Sequence, residues 1–91
     1  MPDIGESEAL EVARAAARYG QFTFVGHAMR RMEERQVRAH DVREAILTAK
    51  SVVWREDDGT WRLSGGHDIE GAELDVAVAI KGNTVRVITV F

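Results

Sequence analysis

Histidine and arginine side chains are concentrated in the stretch GHAMRRMEERQV, residues 26–37, of a chain whose net charge is −3. On a helix that begins near His27, successive residues turn by about 100°, so Arg31 and Arg35 share an edge with His27. The side chains expected to face the core are Ala28, Met29 and Met32. Arginine suits two-point phosphate contacts, and free amides at a helix start also favour an anion. The spacing therefore predicts a phosphate-binding edge; the alternative is a solvated face whose arginines pair with Glu34.

A second candidate anion site lies in a predicted hairpin whose strands are SVVWRE and TWRLSG. If Asp58-Gly59 is its two-residue loop, Arg55 lies directly opposite Arg62 on one face of the sheet. Two like charges in that position destabilise a sheet unless an anion or a carboxylate lies between them. We therefore expect an anion there; the alternatives are a bond to a loop carboxylate such as Asp68 or Glu70, or a different register.

The other residues whose side chains can take part in chemistry give weaker signals. His67, followed by Asp68 in the loop GGHDIEG, can act as a general acid or base, or can belong to an ordinary polar loop. Trp54 and Trp61 can stack on bases, but aromatic residues on the apolar side of a hairpin more often belong to the core. His40, at a predicted helix start, is expected to be exposed. Without cysteine, and with its histidines scattered, the chain is expected to hold no metal and no cofactor.

Helical periodicity predicts three helices to position these residues. The first, about Glu6 to Tyr19, is alanine-rich, can be capped by Asp3 or Ser7, and can end at the following glycine. The second spans about His27 to Gln36 and the third about Ala39 to Lys50. The third helix carries an apolar stripe of Val42, Ala45, Ile46 and Ala49.

Strand-like patterns occupy the rest of the chain. The segment QFTFV, residues 21–25, is short, aromatic and β-branched, and after Lys50 the apolar period changes from helical to alternating. We predict four strands in an antiparallel meander, with a second hairpin turn at Gly82-Asn83. That turn gives one apolar face of Leu74, Val76, Val78, Ile80, Val85, Val87, Thr89 and Phe91. The opposite face carries Ala77 and Ala79, which leave room for a helix or a ligand. The expected fold is one two-layer α+β domain, with N-terminal helices on an antiparallel sheet of four to five strands.

Composition narrows the class of protein. Hydrophobic residues make up 45% and charged residues 30%, as in ordinary globular domains. No apolar run approaches the roughly 18 residues of a membrane span, and no basic region followed by an apolar core marks a secretion signal, so we expect a cytoplasmic chain without membrane contact. The net charge of −3 opposes nucleic-acid binding over the whole surface but allows a local basic patch.

The segments HAMRRMEERQV, WRLSGGHDIEGAELDVAVAI and VRVITVF, with the helix between the first two, resemble a family of small prokaryotic domains of unknown function. The resemblance covers about residues 21–91, which divides the chain into an N-terminal helix, residues 1–20, and a family domain. This family is similar in layout to the RelE and MqsR toxins, in which helices pack on one face of a small antiparallel sheet. The resemblance implies a metal-independent endoribonuclease that cuts messenger RNA, with an antitoxin protein as partner and RNA or the ribosome as target.

Cleavage of RNA without a metal requires activation of a 2′-hydroxyl, stabilisation of a dianionic phosphorane and protonation of the leaving oxygen. The catalytic candidates are His27, Arg31, Arg62 and His67, and the phosphate-binding candidates are Arg35 and Arg55. A different class of function remains open. In that alternative the chain is a noncatalytic module that docks an acidic protein through its arginine-rich helix and pairs a sheet edge with a partner strand.

Overall fold

The computed structural model describes residues 2–91, which form three helices and a five-stranded sheet in one α+β domain. The helices are α1 (Glu6–Arg18), α2 (Gly26–Glu34) and α3 (Ala39–Thr48). The strands are β1 (Phe22–Phe24), β2 (Ser51–Arg55), β3 (Thr60–Ser64), β4 (Val76–Lys81) and β5 (Thr84–Val90). The predicted α+β class is confirmed, with the helices before the antiparallel strands. Met1, which begins the predicted N-terminal segment, lies outside the described residues. No helix within residues 2–91 has the length and apolar character to cross a membrane.

The strand order is β1-β5-β4-β3-β2. Strands β2 to β5 form the predicted antiparallel meander, and β1 joins β5 in parallel, with Thr23 beside Arg86. A parallel pair needs a long connection, which the intervening helices and strands supply. The sheet therefore contains one parallel pair that the sequence pattern did not predict.

Helix α1 ends as its sequence predicts and begins differently. Gly20 takes a φ of 68°, and the N–H of Gln21 donates to the Ala16 carbonyl at 2.7 Å, which closes the helix with a left-handed glycine. At the other end Gly5 is the N-cap and no side chain caps the helix, so neither Asp3 nor Ser7 has the predicted role. The buried side of α1 is formed by Ala9, Ala13, Ala16 and Ala17. These small residues allow close packing against α3 and the sheet.

Helix α3 begins at a cap supplied by Asp41, whose carboxylate accepts a hydrogen bond of 3.0 Å from the Arg38 N–H. This bond is the main cause that lowers the pKa of Asp41, and a bond from the Ile69 N–H adds to it. His40 is exposed, as predicted. The predicted stripe is also confirmed, since Val42, Ala45, Ile46 and Ala49 are at most 1% exposed.

One face of the sheet, called here the covered face, packs beneath α1 and α3. Its buried residues are Val52, Trp61, Leu63, Val76, Val78, Val85, Val87 and Val90. Trp54 packs against this core with its ring centroid 5.0 Å from that of Trp61, so the core interpretation of both tryptophans holds. Burial of each large apolar side chain contributes about 1.5–3 kcal/mol, which makes this face the main source of stability.

The register of the first hairpin differs from the prediction. Arg55 lies opposite Thr60, and Arg62 lies opposite Val53, so the two arginines do not face each other. The reason is the turn: the N–H groups of Asp58 and Gly59 both donate to the Arg55 carbonyl, at 3.2 and 2.9 Å. Gly59 has a φ of 65°, and this left-handed residue closes a longer loop, Glu56–Gly59. The predicted like-charge pair is therefore wrong, and the alternative of a different register is correct.

The second hairpin turns at Gly82-Asn83 as predicted, but a bulge changes its far end. Val78 lies opposite Val87, whereas Ala77 lies opposite Thr89, so Ile88 is an extra residue. Because side chains alternate between the faces, one extra residue exchanges the faces that follow it. Val90 therefore enters the core, at 0% exposure, and Thr89 and Phe91 leave the apolar face on which the sequence pattern placed them.

Candidate functional site

The second face of the sheet, called here the open face, carries a cleft of about 560 Å³. Its wall includes residues from α2, from the first hairpin and from the end of β5: His27, Arg55, Asp58, Thr60, Thr89 and Phe91. The bulge in β5 produces this arrangement, because without it Thr89 and Phe91 would lie on the covered face.

Arginine side chains surround the Phe91 ring. The guanidinium carbon of Arg62 lies 4.0 Å from the ring centroid, and that of Arg55 lies 5.7 Å from it. Each arginine also has its own carboxylate: Arg62 bonds Asp75 at 2.8 Å, and Arg55 pairs with Asp58 at 3.0 Å. The alternative in which one of these arginines bonds a carboxylate is thus confirmed, with Asp58 and Asp75 as the partners instead of Asp68 or Glu70.

His27 is the second residue of α2, and the geometry of β1 places it at the cleft. The Val25 N–H donates to the Val87 carbonyl at 3.1 Å, so the chain leaves β1 beside β5 and the helix starts at the edge of the open face. His27 is exposed, and the first turn of α2 carries no acidic residue. Among residues 2–91, the His27 side chain makes no hydrogen bond or ion pair. Its ring nitrogens therefore have no partner in the protein at the wall of the cleft.

Thr60 is the polar residue most deeply buried in the open face. It is 4% exposed, and its hydroxyl has no hydrogen-bond partner within the described residues. Buried hydroxyls are nearly always paired, so this group has unused donor capacity at the wall of the cleft.

The other predicted site residues lie outside this cleft. Arg31 pairs with Glu34 at 3.7 Å, as the solvated-face interpretation expected. Arg35 is exposed and lies just beyond α2 as its C-cap, not within the helix. The ring Nδ1 of His67 lies 2.8 Å from the Asp68 carbonyl, in the loop between β3 and β4. Met29 is also not in the core, since it is 56% exposed, whereas Ala28 and Met32 are buried as predicted.

No cluster of three or more His, Cys, Asp or Glu residues within residues 2–91 is arranged to hold a metal ion. The side chains that line the cleft carry imidazole, guanidinium, carboxylate, hydroxyl and aromatic groups.

Residues 24–91 match the family model described as a domain of unknown function, DUF4258. The chain belongs to this family. The match begins inside β1 and includes every residue of the cleft, whereas α1 lies outside it. The resemblance to a family of small domains of unknown function is thereby confirmed. Neither the curated proteins nor the solved structures contain a match to the chain.

Sequence reasoning found part of this DUF4258 cleft. It singled out His27, Arg55 and Arg62 by residue type, although with a wrong register for the arginines. It missed Thr60 and Phe91 as site residues. No local sequence signal marks the bulge that turns Phe91 outward. Gly59, which follows two aspartates in the first loop, is a signal for a longer turn, and that turn places Thr60 opposite Arg55.

Proposed function

We propose that this DUF4258 domain is a toxin-like, metal-independent endoribonuclease that binds single-stranded messenger RNA across its open face. The observation that carries this proposal is the cleft itself, whose wall brings together an unpaired histidine, Arg55 and the ring of Phe91, with Arg62 over the same ring. Imidazole transfers protons near neutral pH, guanidinium binds phosphate, and an aromatic ring stacks on an unpaired base. These are the capabilities that RNA cleavage without a metal requires.

Each residue of the cleft has a separate role in this proposal. His27 exchanges a proton with the 2′-hydroxyl or with the leaving oxygen, because it is the titratable nitrogen at the cleft wall. Arg55 contacts the phosphate. Phe91 stacks on a base, and Arg62, fixed by Asp75, holds the ring in place.

The residues outside the cleft take secondary roles or none. Arg31 lies on α2 and Arg35 just beyond its end, and both would contact phosphates that flank the cleaved bond. The side chain of Arg86, exposed on β5, makes no ion pair or hydrogen bond within residues 2–91 and would extend the same track. His67 has no role in the cleft, because it does not contribute to its wall and its ring faces the Asp68 carbonyl.

The outer side of α2 favours a second candidate function, the docking of an acidic protein. Met29 is 56% exposed, and its neighbour Arg30 is exposed without an ion pair in the described part of the chain. An exposed methionine beside an arginine suits a protein surface that carries apolar and acidic groups. In the toxin proposal this partner is an antitoxin, and in the noncatalytic alternative it is the main ligand of the domain.

The test is cleavage of a mixed messenger RNA by the purified chain in a metal chelator, with and without ribosomes, followed by mapping of new RNA ends. We expect His27→Ala to reduce cleavage by about 100-fold or more, the usual contribution of general acid–base catalysis. His40→Ala is the matched control, since His40 is likewise an exposed second residue of a helix. Its cleavage rate should equal that of the wild type.

Two outcomes would contradict the proposal. Equal loss in the His27 and His40 variants would assign the effect to general surface charge. Absence of new RNA ends with and without ribosomes would reject the ribonuclease and favour docking through α2.

A further inference from the structure

The unpaired hydroxyl of Thr60 is the starting point for a more specific assignment. A buried polar group without a partner destabilises the folded chain, and valine has the same shape without the hydroxyl. Thr60 lies on β3 opposite Arg55 of β2, and with Ala79 of β4 it forms part of the cleft wall. The Thr60 side chain lies on the open face, because Trp61 and Leu63 face the core, and the residue as a whole is 4% exposed. A ligand oxygen is the partner that this donor lacks.

The start of α2 supplies donors of a second kind. The Met29 N–H bonds the Val25 carbonyl, whereas the N–H groups of Gly26, His27 and Ala28 have no acceptor among the described residues. Such groups point out of the helix start and carry its positive dipole end. Acidic side chains, which often neutralise this end, are absent from the first turn. His27 places this helix end at the same cleft as Thr60.

We infer that the start of α2, Thr60 and Arg55 form a binding site for one phosphate group of an RNA strand. The choice of RNA as the ligand rests on the proposed function. The location of the site rests on the helix end and on the buried hydroxyl. Backbone amides, a hydroxyl and a guanidinium are the usual donors to phosphate oxygens. With the phosphate held there, the neighbouring base lies near Phe91 and the sugar near His27.

Asp58 opposes this binding. It pairs with Arg55 at 3.0 Å and also borders the cleft, so it competes with a phosphate for the same guanidinium. Both side chains of this pair are more than a third exposed, so the pair is weak enough for a phosphate to displace the carboxylate. Asp58→Asn should therefore strengthen phosphate binding by about two- to fivefold.

The experiment is a titration of the full chain with inorganic phosphate, followed by the amide NMR signals of Gly26 and His27. We expect these signals to shift, and Thr60→Val to weaken the affinity by about tenfold, the value of a hydrogen bond to a charged group. Thr60→Ser keeps the hydroxyl and should keep the affinity. Thr60→Ala provides the same test if the valine variant does not fold. Thermal unfolding of Thr60→Val should occur at or above the wild-type temperature, which separates lost binding from lost structure.

A short RNA with methylated 2′-hydroxyls, which cannot be cleaved, should compete with phosphate for these signals. Unshifted amides, or equal affinities of the wild type and Thr60→Val, would overturn the site, and absence of competition would overturn its assignment to RNA. The ribonuclease proposal is tested by a separate outcome. Phosphate binding without RNA cleavage would leave the site and reject the enzyme, whereas cleavage without phosphate shifts would leave the enzyme and reject the site.

Discussion

On strand β2, Val52 is 8% exposed and its neighbour Val53 is 52% exposed, although the two residues are of the same type. Their exposures differ because the two side chains lie on opposite faces of one sheet. The covered face packs apolar residues beneath α1 and α3, and the open face carries arginines, a threonine and an aromatic ring around a cleft. An unpaired buried hydroxyl and arginines crowded around one ring do not contribute to stability in the way the covered face does. The comparison shows that packing is concentrated on the covered face, and the polar groups of the open face support the binding role proposed for it.

The largest expected effect concerns packing on the helix side of the sheet. A Cβ added to Gly66 would lie 2.2 Å from the Ala45 carbonyl oxygen in α3, a contact that only movement of the backbone can relieve. We expect Gly66→Ala to lower the free energy of unfolding by about 3 kcal/mol, measured by denaturant titration. Gly26→Ala is the control, since a Cβ there meets no atom within 4 Å. A Gly66→Ala variant as stable as this control would show that the loop is not packed against α3 as described.

The matched valines provide the second test. Val52→Ala removes buried methyl groups and should cost about 2 kcal/mol, because the surrounding core cannot fully close the cavity. Val53→Ala removes the same atoms from the open face and should cost less than about 1 kcal/mol, the range of strand propensity. Denaturant titration of both variants gives the difference directly. Equal losses would mean that the open face is covered in solution, for example by a second chain.

Sequence patterns predicted the covered face well and the open face poorly. The apolar stripe of α3 and the alternation of β4 are repeated over several residues, so they remain readable when one position is uncertain. The open face depends on two local events: the left-handed Gly59, which lengthens one turn, and the extra residue Ile88, which exchanges the faces of β5. A change of one residue in register moves every later side chain to the other face. Phe91 was missed for this reason. Thr60 was missed because the longer turn places it opposite Arg55, where the two-residue loop would have placed Arg62, whereas His27 follows from the helix start alone.

The smallest expected effect is a difference in stability between variants of two arginines on the open face. Arg62 donates two hydrogen bonds to Asp75, at 2.8 and 3.2 Å, and lies over Phe91. Arg86, exposed on the same face, has no such partner within the described residues. We expect Arg62→Ala to lower the free energy of unfolding by about 1–2 kcal/mol, because it leaves a largely buried carboxylate with the Ser64 hydroxyl as its side-chain partner. Arg86→Ala should change it by less than about 0.5 kcal/mol.

A double variant shows whether the arginine acts through its carboxylate. If the loss in Arg62→Ala comes from an unpaired Asp75, then Arg62→Ala combined with Asp75→Asn should be more stable than Arg62→Ala alone, since the uncompensated charge is gone. A double variant that is less stable than Arg62→Ala would instead place the loss in the contact with Phe91 and in further bonds of Asp75. The same two variants are needed to interpret RNA cleavage. Slower cleavage by Arg62→Ala could come from its lower stability and not from a lost phosphate contact. It is evidence for a direct contact only if the double variant, which regains stability, cleaves RNA as slowly as Arg62→Ala.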